Sequence, residues 1–156
     1  MTTPQIARAD LDNPYQANAL VTILDTYARG PEGQGAPMSE RAKDNLSHGL
    51  RDHPAAIVLM AFVDDQAVGA AVCLWGYSTF GGSSFLNIHD LAVLPDFRGR
   101  GIGKALIAAV EETAREQRAC KVSLEVHDTN EGAKRLYRSL GFGPWEPVTL
   151  SLGKKL

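Results

Sequence analysis

The sequence predicts an α/β fold, a single mixed sheet layered with helices, in one domain over residues 1–156. Three observations carry this expectation. Segments with apolar residues three or four apart alternate with β-prone segments of period two. No internal repeat and no long linker divides the chain. Around Gly101 a strand, a glycine-rich turn, a helix and another strand follow in order, the pattern of a right-handed parallel crossover. With 44% hydrophobic and 22% charged residues the balance is globular, and the length suffices to bury a core.

Gln5–Asp10 reads as a short first strand. Pro14–Arg29 spaces Ala17, Leu20, Val21 and Leu24 for one helical face. Gly30–Pro37, dense in glycine and proline, is a loop. Ser39 is placed to N-cap a second helix that ends near Asp52, before Pro54. Ala55–Val63 and Gln66–Gly76 are apolar strands joined at Asp64-Asp65, a hairpin signal. Tyr77–Ser84 reads as a turn or loop, and Phe85–Val93 as a strand stopped by Pro95. A helix over Gly101–Gln117 presents Ile102, Leu106, Ala109, Val110 and Thr113 on one face. Lys121–His127 alternates Val122, Leu124 and Val126 as a strand. Asn130–Leu140 is a helix with Ala133, Leu136, Tyr137 and Leu140 on its apolar side, closed by Gly141. Val148–Leu152 is expected as a last strand.

A net charge of −2 offers no general attraction to nucleic acid or to an anionic membrane, so neither is expected as a partner. No apolar run approaches the roughly 20 residues that span a bilayer. Met1–Gln5 has neither a basic nor an apolar leader region. Cys73 and Cys120 form no CxxC, which suits a reducing compartment. A cytoplasmic protein is expected, monomeric or as a homodimer. His48, His53, His89 and His127 lack metal-ligand spacing, so no metal is expected.

The segment Val93–Lys104 concentrates chemistry. Gly99, Gly101 and Gly103 free the backbone to turn its N–H groups inward, and the following helix adds its positive end. Arg98, Arg100 and Lys104 bring charge to the same place. A P-loop would need glycine where Arg98 stands and Ser or Thr where Ala105 stands. A dinucleotide fingerprint begun at Gly99 would need glycine at Lys104. What remains is Arg-x-x-Gly-x-Gly at Arg98, Gly101 and Gly103, suited to a diphosphate; the plain alternative is a tight turn before a charged helix start.

Here the chain resembles the GNAT superfamily of N-acetyltransferases. The likeness runs through Asp90–Pro95, Arg98–Leu106, Leu124–Val126, Asn130–Ala133 and Leu136–Phe142. It implies a GNAT-type mixed central sheet of six to seven strands with about four helices, in which a splayed strand pair forms an acyl-CoA slot. Backbone amides of Arg98, Gly99, Arg100, Gly101, Ile102, Gly103 and Lys104 would bind the pyrophosphate of acetyl-CoA. Leu91, Ala92 and Val93 would pair with the pantetheine arm as with a missing strand, and an amide near Leu91 would act as oxyanion donor. Asn130, which can N-cap the last helix in rivalry with Asp128, would also bond that arm. The resemblance implies acetyl-CoA-dependent N-acetyl transfer and says little about the acceptor; a primary amine of a small molecule is expected from the aromatic and acidic residues of the loops. A non-catalytic acyl-CoA-binding domain and a protein or peptide acetyltransferase are the alternatives.

An alkyl ammonium, with a pKa near 10.4, must lose a proton before it attacks. His89 and Asp90 are the candidates. Strict alternation puts Phe85, Asn87, His89, Leu91 and Val93 on one face and Leu86, Ile88, Asp90 and Ala92 on the other, unless a bulge swaps them. The family places a Glu or His base at the position of His89, which is the first choice; Asp90 would orient it, bind a cationic acceptor or cap a loop. Tyr137 continues an apolar stripe, where an aromatic is usually core. By resemblance it is the general acid toward the thiolate. Cys73 and Cys120 read as small buried hydrophobes, so direct transfer in a ternary complex is expected. The acceptor side falls to loops Gly30–Pro37 and Tyr77–Ser84, with Glu32, Tyr77 and Phe80, and Trp75 and Phe85 at their edges.

Overall fold

The computed structural model describes residues 3–144 and 150–156. Two compact units divide the chain, Met1–Glu125 and Val126–Leu156. In the first, β1 (Gln5–Arg8), β2 (Ala56–Val63), β3 (Gln66–Ser78), β4 (Ser83–Val93) and β5 (Val122–Leu124) form one sheet in that order. The first four strands are antiparallel neighbours; β5 runs parallel to β4, as the crossover through a helix predicts. The sheet of the described residues therefore has five strands rather than six or seven. Lys121–His127 shortens to three paired residues. Of the expected last strand, Val148 and Thr149 lie outside the described residues, and Leu150–Leu152 is not a strand.

Helices α1 (Pro14–Arg29) and α2 (Glu40–Asp52) have the bounds that periodicity and capping suggest: Asn13 accepts from Tyr15 N and Gln16 N, and Ser39 from Ala42 N. Leu20, Ile23 and Leu24 of α1 pack with Val58, Met60, Ala70, Val72 and Ala92 on one face of the sheet. Helix α3 (Ile102–Glu116) takes the other face, with Ile102 and Leu106 against Gly69. Its buried stripe is Ile102, Leu106, Ile107, Val110 and Ala114, turned from the expected one, and leaves Ala109 and Thr113 half-buried. Because helices cover both faces, Ile57–Ala61 and Ala67–Cys73 are buried without alternation. Asp64 and Asp65 both adopt positive φ, 47° and 63°, the backbone of a two-residue hairpin turn.

The second unit holds α4 (Glu131–Ser139). Gly141 at φ 89° ends that helix. Among the described residues no helix is long and apolar enough to cross a membrane.

Candidate functional site

The glycine-rich turn follows a short 3-10 turn, Pro95–Phe97. Gly99 and Gly101 stand at φ 73° and 78°, a left-handed backbone that a side chain resists, although a Cβ at either would meet nothing within 4 Å. Conformation, not space, selects glycine there. Gly103 instead lies inside the first turn of α3. Gly101 N-caps α3 without any side-chain cap, and Ala105 N donates to Gly101 O at 3.0 Å to open the helix. The amides of Ile102, Gly103 and Lys104 are thus the donors of an uncapped helix start, a fitting receptor for a diphosphate.

The cations around this turn differ in their duties. Arg98 donates from Nε to Val93 O at 3.1 Å and so latches the turn to the end of β4. The Arg100 guanidinium stacks over Phe97, 5.1 Å from the ring centre. Lys104 is exposed on the first turn of α3.

Strand β4 carries a bulge. Val72 pairs with Asp90 and Cys73 with Ile88, so His89 is the extra residue. The face assignment from strict alternation fails at that point. Leu86 and Ile88 lie opposite Trp75 and Cys73, on the α3 side; Asp90 and Ala92 lie opposite Val72 and Ala70, on the α1 side. The bulge also coincides with the end of the β4–β5 ladder, whose last pair is Ile88 with Leu124. Beyond it, among the described residues, no strand pairs with Leu91, Ala92 and Val93 on the β5 side. The ladder thus stops where a splayed pair is expected from sequence, and the edge of Leu91–Val93 left without a strand partner runs toward the glycine turn.

His89 is exposed at the bulge, whereas Asp90 is half-buried. Burial holds the Asp90 carboxyl above the ordinary carboxylate range, and the neighbouring His89 pulls it partly back. Toward this face comes the end of α1. Tyr27 is half-buried there, and its hydroxyl donates to Glu32 O at 3.1 Å. Burial first, then the charges of Asp90 and Glu32, keep that hydroxyl protonated, with Arg98 opposing. The loop after α1 is folded onto the helix end by Gln34 N and Ala36 N, both donating to Ala28 O. Asp25 closes its far end by accepting from Met38 N at 2.7 Å, which with Arg29 keeps the Asp25 carboxyl low.

Other expectations shift. Trp75 faces the α3 side, where it lines a groove of about 510 Å³ with Ile57, Ala109 and Glu116, away from the face of Asp90. Phe85 lies across Gly76, with Lys121 Nζ 5.0 Å from its ring centre. Strands β3 and β4 extend into the expected loop, leaving Tyr77 and Phe80 exposed near a short turn. Cys73 is buried and its thiol is pushed up to about 12, which removes it as a nucleophile. Cys120 is exposed rather than buried, because it lies past the end of α3, with Ser83 O 3.9 Å from its sulfur.

In the second unit Asn130 is the N-cap of α4, accepting from Ala133 N at 3.1 Å. Its rival Asp128 instead pairs with Lys134 at 2.9 Å. Tyr137 is half-buried against Phe142, ring centres 6.0 Å apart.

Two residues escape sequence reasoning. Gly69 lies opposite Val93, and a Cβ there would stand 3.0 Å from Ala92 O and 3.3 Å from both Ile102 and Leu106. It lets the start of α3 sit close on β4, but an isolated glycine in a strand signals only some close approach. Tyr27 looks like one more apolar position of α1.

The description "Acetyltransferase (GNAT) family" belongs to the family model that matches residues 18–142. A protein of Archaeoglobus fulgidus, named an uncharacterized N-acetyltransferase, is 40% identical over 137 residues, 86% of this chain and 90% of its own length. Among solved structures, a ribosomal-protein-alanine N-acetyltransferase from Brucella melitensis superposes with a TM-score of 0.75 at 24% identity, covering 96% of this chain and all (100%) of that one. An aminoglycoside N-acetyltransferase in complex with CoA gives 0.79 at 19% identity, over 99% and 97%. With the uncapped helix start, the bulged strand and this match over most of its length, the chain belongs to the acetyltransferase (GNAT) family.

Proposed function

We propose that the protein transfers the acetyl group of acetyl-CoA directly to a primary amine of a small molecule, in a ternary complex. The observation that carries the reading is the bulge at His89, which frees the edge of Leu91–Val93 beside the uncapped start of α3. The residues suit the cofactor: amides from Arg98 to Lys104 would hold its pyrophosphate, and the free edge its pantetheine arm. Acetyl-CoA, when bound, supplies an acetyl group activated as a thioester.

The chain's own groups then have distinct tasks. Asp90, desolvated and unpaired by any cation among the described salt bridges, accepts the proton of the acceptor ammonium at its carboxylate. His89, adjacent and exposed, passes that proton to solvent. The Leu91 amide donates to the developing oxyanion. By the family resemblance Tyr137 would give its phenolic proton to the departing sulfur and regain one through solvent from the nitrogen, which loses its second proton as the amide forms; Tyr137→Phe should lower kcat while acetyl-CoA affinity, measured by titration, stays nearly constant.

A small acceptor is the reading that Glu32 and the aromatic Tyr27 suggest, in a loop and helix end on the face of Asp90. The solved neighbours act, by their names, on an aminoglycoside in one case and a ribosomal protein in the other. The experiment is therefore a panel of small amines and N-terminal peptides, followed by release of free CoA thiol. Turnover of peptides alone would replace the small-molecule reading. Acetyl-CoA binding, seen as a raised melting temperature, with no turnover on any amine, would favour a binding domain.

A further inference from the structure

We propose that Tyr27 is a positioning residue of the acceptor side: its hydroxyl holds the loop after α1 in place and thereby sets the KM for the acceptor. The inference rests on the acetyl-transfer reading given above.

Tyr27 connects two parts that the chain keeps far apart in sequence. Its ring packs on the core cluster that contains Val72 and Ala92. Val72 is the cross-strand partner of Asp90, and Ala92 is the next residue on the same face. The ring is thus anchored on the face that presents the proposed base. Its hydroxyl bonds the backbone carbonyl of Glu32 at 3.1 Å, and its own carbonyl accepts from Gly30 N at 3.1 Å. The loop lies so close on this helix end that a Cβ at Gly33 would stand 2.3 Å from Tyr27 O and 2.8 Å from Ala28 Cα. Gly33 is required by that contact. Apolar packing alone would be served by phenylalanine; the hydroxyl adds only the bond to the loop. Backbone bonds to Tyr27 O and Ala28 O fold the loop onto the helix end, and the Tyr27 hydroxyl adds the side-chain bond that ties it to the face of Asp90, so that an acceptor seated between them is registered with it.

Tyr27→Phe removes the bond and keeps the ring. A hydrogen bond contributes about 0.5–1.5 kcal/mol net, which corresponds to roughly a 2–13-fold rise in acceptor KM. Acetyl-CoA KM and kcat should stay within about 2-fold. Gly33→Ala displaces the same loop from the other side and should give the same signature; in the double variant the two effects should combine to less than their product. An unchanged acceptor KM in Tyr27→Phe overturns the proposal, as does an equal rise in both KM values or a fall in melting temperature with both KM values intact. These outcomes presuppose wild-type turnover. A wild type inactive on every amine and peptide overturns the acetyl-transfer reading and the inference with it, so the two failures are told apart by the wild type alone.

Discussion

On the reading proposed above, the donor side and the acceptor side of the first unit are built from different materials. The donor side is backbone: two left-handed glycines, an uncapped helix start and a free strand edge. The acceptor side relies on side chains: Asp90 beside a bulge, and Tyr27, whose hydroxyl adds a bond to a loop that backbone bonds also fold onto α1. A diphosphate and a row of amides present the same groups in every turnover, so a backbone receptor suits them. An amine acceptor differs from one enzyme to another, and side chains can be exchanged without altering the chain's path. The division lets the same scaffold keep one donor and vary its acceptors.

The strongest way to break this comparison lies at Asp90. Asp90→Asn should lower kcat/KM by about 100-fold, the usual worth of a positioned base, with acetyl-CoA affinity unchanged. Because burial raises the Asp90 carboxyl, the acid limb of the wild-type profile should lie above the ordinary carboxylate range, and the variant should lose it. The stability consequence has the opposite sense. A carboxyl raised in the folded state contributes stability fully below its unfolded value, and that stability is lost as pH rises through the folded value. At neutral pH Asp90→Asn should therefore melt higher than wild type, and the gap should close on acidification. A variant that is less active but no more stable at neutral pH would mean Asp90 is not held in a desolvating place. Gly101→Val attacks the other side. A β-branched residue at φ 78° is strained by about 1–3 kcal/mol and disturbs the amides that follow, so acetyl-CoA affinity should fall roughly 10–100-fold by calorimetry. Retained affinity would show that the cradle is not backbone-built.

How much of this is legible in sequence follows the same division. The spacing of Arg98, Gly101 and Gly103 is local, and local rules of φ and helix ends read it directly. The bounds of α1, the Asp64-Asp65 turn and the cap at Asn130 are legible for the same reason. The face of Asp90 stays open in sequence, where a bulge is one alternative to strict alternation, because the bulge is set by the register of β4 against β3. Trp75 was expected beside the acceptor loops, yet its face is decided by the same register. Gly69 and Tyr27 acquire meaning only when α3 and β4, or α1 and the loop after it, come together. Cys120 reads as apolar by type and is exposed by position.

The smallest effect sharpens the donor side. Asn130 caps α4 through its side-chain oxygen, and by resemblance its amide also bonds the pantetheine arm. Asn130→Ser separates these tasks, since a serine hydroxyl still caps a helix, within a few tenths of a kcal/mol, while the amide donors are gone. If the donor side includes this contact, acetyl-CoA affinity should fall about 2–13-fold with the melting temperature nearly unchanged, the range that a single neutral hydrogen bond covers. Asn130→Ala is the companion measurement: it removes the cap as well, at about 1 kcal/mol, so it should lower the melting temperature in addition. Equal affinity in wild type and Asn130→Ser would confine Asn130 to the cap. The donor would then be held by main chain alone over the glycine turn and β4, and the contrast with the acceptor side would be complete.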